Sequence, residues 1–168
     1  MSEPVPPQDF TDDTLIWPLM VRLQECLCTT LTERGLMPGD CFCGLMPGND
    51  PSWDYADGMA WVRLANAYPT TTFPTINTTP RGSCSADVAA TIEVAVLHCA
   101  PTLSATGVLP TEFDMFESTR LQLATMKAMR DAIMCCDFDN IVLGQYQPLG
   151  PQGGLVGGFW TVDVTGDD

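Results

Sequence analysis

A chain of 168 residues fits one domain of ordinary size, and a domain of that size removes roughly 68–70% of its unfolded surface from water without needing staples. With 45% hydrophobic and only 17% charged residues the composition argues against disorder, which requires low hydrophobicity as well as high charge. Seven Lys and Arg stand against 21 Asp and Glu, a net charge of -14 with Lys127 as the only lysine, and a surface this acidic repels phosphate backbones and anionic lipid headgroups.

Residues 1–10 carry three prolines and two acids without periodicity and read as a flexible arm, leaving 11–168 as a single domain. The start lacks the basic-then-apolar build of a secretory signal, and no apolar run approaches the ~20 residues of a membrane helix. The expectation is a soluble chain made in a cytoplasm. Leucines at 15, 19, 23, 27 and 31, with N-cap candidates at 11–13 and Gly35 as a stop, predict an amphipathic helix over about 13–34.

Between Leu36 and Gly58 the turn signals Pro38-Gly39, Pro47-Gly48 and Asn49-Asp50-Pro51 predict a long, largely irregular connection that also holds Trp53 and Tyr55. Those two aromatics serve either as a lid over the core or as an anchor for a neighbouring subunit. A strand is predicted over 59–67, followed by a proline- and threonine-rich stretch, 68–82, that suits a protruding extended loop or an edge hairpin. Residues 85–99 alternate plainly, with Val88, Ala90, Ile92, Val94 and Val96 on one face and mostly small residues on the other, as for a strand covered on both sides, partly by a partner.

After a linker at 101–110, Thr111-Glu112-Phe113-Asp114 comes close to a capping box and opens a second helix. Phe113, Phe116, Leu123, Met126, Met129 and Ile133 form its expected buried stripe, to about Cys135. Two closing strands, 140–147 and 159–164, flank a connector, 148–158, whose five glycines and two prolines read as a protruding loop too long for a tight hairpin. The predicted class is α+β: a mostly antiparallel sheet with two main helices packed on it and long protruding loops.

Chemistry-bearing patterns are sparse. The eight cysteines include Cys26/Cys28 and Cys41/Cys43; on a helix the first two point about 200° apart and cannot ligate one ion. Without a secretory signal the expected compartment is reducing, so the cysteines are expected as reduced, mostly buried small side chains, with no metal. His98, the single histidine, closes an alternating apolar run and reads as a satisfied or edge residue. There is no phosphate-cradling, dinucleotide-binding, zinc-protease or nucleophile-elbow motif. Asp137-Phe138-Asp139-Asn140 lacks the glycine and glutamate of a calcium loop and fits a helix-to-strand turn better. No catalytic residue and no cofactor is expected, and the chain is not expected to be an enzyme.

The element order, with the leucine helix at 15–31, the strand at 85–99, the helix at 113–133 and the closing Gly157-Gly158-Phe159-Trp160-Thr161-Val162-Asp163-Val164, resembles the tail-terminator proteins of long-tailed bacteriophages. The resemblance implies a virion subunit, assembled in the host cytoplasm, whose copies close a ring, a hexamer in this family, at the head-proximal end of the tail tube. Such a ring ends tube polymerisation and joins the tail to the head connector. Its implied partners are further copies of itself, the tail tube protein and the connector or stopper protein, with DNA passing through the lumen unbound and no membrane involved. A ring of this kind closes by rotation through two different patches on each subunit, for which the candidate contacts are Trp53, Tyr55, Phe73, Ile76, Leu149, Leu155 and Val156. Acid facing the channel would keep the duplex from sticking. The alternatives are another head-to-tail connector subunit or, from a different class, a small metal-binding protein or enzyme using Cys41, Cys43 and His98.

Overall fold

The computed structural model describes residues 16–39, 42–48, 58–76, 87–103 and 107–165, so the expected arm at 1–10 lies outside the described residues. Helix α1 (Ile16–Glu33) buries Leu23, Leu27 and Leu31 at four-residue steps with Met20 a turn earlier. Each fully buried leucine contributes about 1.5–3 kcal/mol relative to exposure. The helix ends where the sequence stops it: the Leu36 N–H donates to the Leu31 carbonyl at 2.9 Å and the Gly35 N–H to the Thr32 carbonyl at 3.1 Å, with Gly35 at a φ of 63°. This 6→1 and 5→2 pair satisfies two orphan carbonyls of the last turn.

Five strands follow as β1 (Phe42–Leu45), β2 (Gly58–Thr70), β3 (Asp87–Cys99), β4 (Ile141–Gln152) and β5 (Leu155–Thr165), with helix α2 (Glu112–Met134) between β3 and β4. They form one sheet in the order β1-β2-β3-β5-β4. Only the β1–β2 pair is parallel. The class is α+β, as the sequence predicts.

Both helices lie on one face of the sheet, because that is where the apolar registers meet. Ala60 and Val62 of β2, Ala90, Ile92, Val94 and Val96 of β3, and Val162 and Val164 of β5 share one core with the α1 leucines and with Ala128, Met129 and Ile133 of α2. The other face carries a smaller cluster of Met59, Trp61, Ala95, Leu97 and Leu155. The central span of β3 is therefore buried on both faces, whereas Val88 near its start is 39% exposed.

Four expectations are corrected. The connection after α1 is not wholly irregular: Phe42–Leu45 pairs with Met59–Val62 as an edge strand too short to show a period. The second strand runs on through Pro69 to Thr70: β1 ends opposite Val62, so among the described residues the rest of β2 has no strand partner on that side, and proline is tolerated there. Only residues 71–76 of the stretch expected as a protruding loop or an edge hairpin are described beyond it, and they fold back in the manner of the second alternative: Thr72 and Thr75 bridge, and Thr70 Oγ1 donates to the Thr75 carbonyl at 2.8 Å.

The connector at 148–158 is not a loop. Gln152 pairs with Leu155 across Gly153-Gly154, whose φ values of 57° and 82° are the left-handed pair that a two-residue hairpin needs. Pro148 sits on β4, an outer strand, so it interrupts no central ladder.

The cysteines are not all reduced. Cys26 is bonded to Cys136 and Cys28 to Cys43, with Cα separations of 5.9 and 6.0 Å, the ordinary disulfide range. The ~200° between Cys26 and Cys28 holds, but it sends each sulfur to a different neighbour instead of burying both. The turn after α2 is as predicted: Asp137 adopts a φ of 45°, a left-handed position that aspartate tolerates, and leads into β4.

Candidate interaction surface

Thr111 caps α2 with extended backbone; its hydroxyl accepts from the Asp114 N–H at 3.2 Å while the Asp114 carboxylate accepts from the Thr111 N–H at 2.8 Å. The reciprocal bonds complete the capping box, and donation to the Asp114 carboxylate by the Thr111 hydroxyl at 2.7 Å, together with that of the Thr111 N–H, holds its carboxyl below the usual carboxylate range. Deeper in the helix, Gln122 Nε2 donates to the Gly157 carbonyl at 2.6 Å, and the Trp160 indole N–H donates to the Met126 carbonyl at 3.1 Å. Gln122 is thus level with Gly157, three residues from the β4–β5 hairpin tip; Ser118 and Leu121 just before it are half-buried and line a hollow with Cys99, and only the first turn, 112–116, is exposed on every side.

The face that α2 turns to the sheet overturns the predicted buried stripe. The buried residues of α2 are Thr125, Ala128, Met129, Ala132 and Ile133, all in its second half. Phe113, Phe116 and Leu123 are 69%, 63% and 56% exposed. The stripe fails because the steps from Leu123 to Met126 to Met129 are both of three residues, and each uncompensated step of three walks about 60° round the helix. The segment leading into α2 adds Leu103, Val108 and Leu109, each more than half exposed. One end of the molecule therefore presents a concentration of large apolar side chains.

Two adjoining hollows of about 320 and 310 Å³ lie between the turn after α1, the end of β3 and α2, and share Leu36, Cys99 and Leu121. His98 reaches the second hollow but is 8% exposed, with Nε2 2.9 Å from Thr125 Oγ1. Burial pushes its pKa down to about 4, so it is a neutral, satisfied side chain at ordinary pH. Metal binding through Cys41, Cys43 and His98 is not supported: Cys43 is disulfide-bonded, His98 is held by Thr125, and Cys41 lies outside the described residues. Among the described residues no three His, Cys, Asp or Glu side chains are grouped to hold an ion.

On the opposite face of the sheet, Glu93 is 4% exposed and accepts from Arg63 at 2.8 and 2.6 Å and from the Trp61 indole at 3.1 Å. A forked guanidinium–carboxylate pair of this geometry, with a third donor, satisfies a charge that burial would otherwise penalise heavily.

The contact residues named from sequence are not gathered into one surface. Trp53 and Tyr55 lie outside the described residues. Phe73 is half-buried and Ile76 is 54% exposed beyond the end of β2. Leu149, Leu155 and Val156 belong to the β4–β5 hairpin at the other end of the sheet, and Leu155 is corrected outright, since at 3% exposure it is core. The exposed face of α2 differs from the sequence expectation because helical spacing alone assigns its apolar residues to the core; the signal that separates them is the unbroken run of three-four steps from Phe113 to Met134. No family model and no curated protein matches the sequence.

Proposed function

We propose that this chain is a structural virion subunit of the tail-terminator type, which closes a homo-oligomeric ring at the head-proximal end of a phage tail tube and joins it to the head connector. The observation that carries the proposal is the exposed apolar end of the molecule, from Leu103 through Leu123. Apolar surface gathered at one end of an otherwise acidic chain marks an assembly contact. A ring needs two different patches per subunit, and Ile76, 54% exposed beyond the end of β2, is a candidate for the second.

The disulfides fit this role. Intracellular thiols are kept reduced, whereas bonds such as Cys26–Cys136 persist on particles that leave the cell. The subunit would fold in the host cytoplasm and spend its mature life in the virion. The net charge of -14 suits a channel that must let a duplex slide past. No helix among the described residues is long and apolar enough to cross a membrane.

Electron microscopy of the purified chain, alone and mixed with polymerised tail tubes, tests the role. Rings that cap tube ends support it; rings that bind portals but not tubes point to another connector subunit, and failure to bind either contradicts it.

A further inference from the structure

Helix α2 carries a second periodic pattern besides the one it buries. Phe113, Phe116, Leu123 and Met134 interleave with Arg120, Lys127 and Arg130 so that successive members stand alternately three and four residues apart over the whole helix. The apolar members are 69%, 63%, 56% and 56% exposed, and the side chains of the basic members 70%, 66% and 56%. Alternating steps of three and four hold a stripe to one face with a drift of only about 20° per seven residues, the spacing of a seam that a second element can follow. Over 22 residues it runs about 33 Å.

The charge on this seam opposes that of the molecule. All the basic residues of α2 lie on it, and its acids lie beside or away from it. Glu117 pairs with Arg120 at 2.6 Å, while Asp131 is shared by Lys127 at 2.7 Å, Arg34 at 2.9 Å and Arg130 at 3.7 Å. Four cations thus meet two carboxylates here. Glu112 and Asp114 in the first turn leave α2 as a whole slightly acidic, but the other cations among the described residues are Arg22, paired with Asp137, and Arg63, paired inside the sheet, so three of the six described cations stand on this one seam of a chain with net charge -14.

We infer that the outer seam of α2 is one half of the subunit contact and that its occupant is the acid-rich surface of a second copy of this chain, bound head to tail. The inference rests on the ring reading above and names the surface that reading needs. Apolar anchors flanked by cations fit a partner whose surface is predominantly acidic, and every other copy supplies one. Two α2 seams packed on each other would set like charges face to face, so the contact is heterologous and closes by rotation.

Sedimentation velocity on the full-length chain, at about 50 mM and 500 mM salt, tests the inference with two variants: Arg120→Glu/Lys127→Glu/Arg130→Glu, and Phe116→Ser/Leu123→Ser. All the altered side chains are exposed, and far-UV circular dichroism checks that each variant folds. The wild type is expected to sediment as a closed oligomer, both variants as monomers or with at least tenfold weaker association, and Trp17→Ser, altering a side chain 56% exposed on α1, as the wild type does. Folded variants that assemble like the wild type would overturn this contact while leaving the ring intact. A wild type that is monomeric in both salts would overturn the ring reading and the contact with it. A dimer as the end state, or duplex DNA retained by the wild type and lost only in the charge variant, would also overturn it.

Discussion

Cys26 and Cys28 stand two residues apart on α1 and are bonded to opposite neighbours, Cys26 to Cys136 beyond the end of α2 and Cys28 to Cys43 of β1. The helix is thereby tied both to its companion helix and to the edge of the sheet. Arg22, one turn before Cys26, reinforces the first tie by reaching Asp137 at 3.2 Å and lying over the Phe138 ring at 5.4 Å.

The two ties should differ in strength. Cys26–Cys136 closes a separation of 110 residues and Cys28–Cys43 one of 15. Loop-closure entropy then assigns a little under about 5 kcal/mol to the first and about 3 kcal/mol to the second. Denaturant melts of Cys26→Ser/Cys136→Ser and Cys28→Ser/Cys43→Ser should rank in that order. A larger loss from the shorter loop would show that local packing around β1, and not the loop length, sets the effect.

His98 makes stability depend on pH in the mildly acidic range. Its folded pKa lies near 4, below the ordinary 6.5, so between those values the unfolded state binds the extra proton. Stability is fully present above pH 6.5 and falls as the pH drops toward 4, by up to about 3 kcal/mol. Replacing His98 with Gln should flatten that part of the stability profile measured by urea melts. An unchanged slope in the variant would show that other groups account for it.

Glu93 holds Arg63 inside the sheet, so removing either charge alone leaves the other buried. Glu93→Ala should cost about 3–5 kcal/mol, while the paired change Glu93→Leu/Arg63→Met should recover much of the loss. Thermal melts of the single and double variants read this directly; additive losses would mean that the pair is not coupled.

The charge imbalance predicts a response to salt. With 21 acids against seven bases, self-repulsion opposes the compact state, and screening relieves it. The melting temperature should rise between about 50 and 500 mM NaCl. A fall would mean that the surface ion pairs outweigh the repulsion.

Much of the architecture is legible in the residues, and the misses have physical causes. The α1 leucines, the Thr111 capping box and the alternation of β3 each combine a local period with a local stop, and all three lie where the sequence puts them. β1 has four residues and gains its strand character from β2 across a loop, which no local pattern reports. The Gly153-Gly154 hairpin was hidden by the prolines and glycines around it, whose meaning depends on β4 being an outer strand. The disulfides depend on which elements meet in space, Cys136 after α2 and Cys43 on β1 beside α1, which no spacing along the chain reports. At the candidate surface, Phe113 and Phe116 read as core because aromatic residues at helical spacing usually are; only the packing of Ala128, Met129 and Ile133 on the sheet decides that α2 turns its other face outward.

The mass of the full-length chain in solution, by sedimentation equilibrium or native mass spectrometry across a hundredfold range of concentration, tests the central claim most directly. The account predicts one closed oligomer of fixed copy number; a monomer throughout that range, or open-ended growth with concentration, would contradict it.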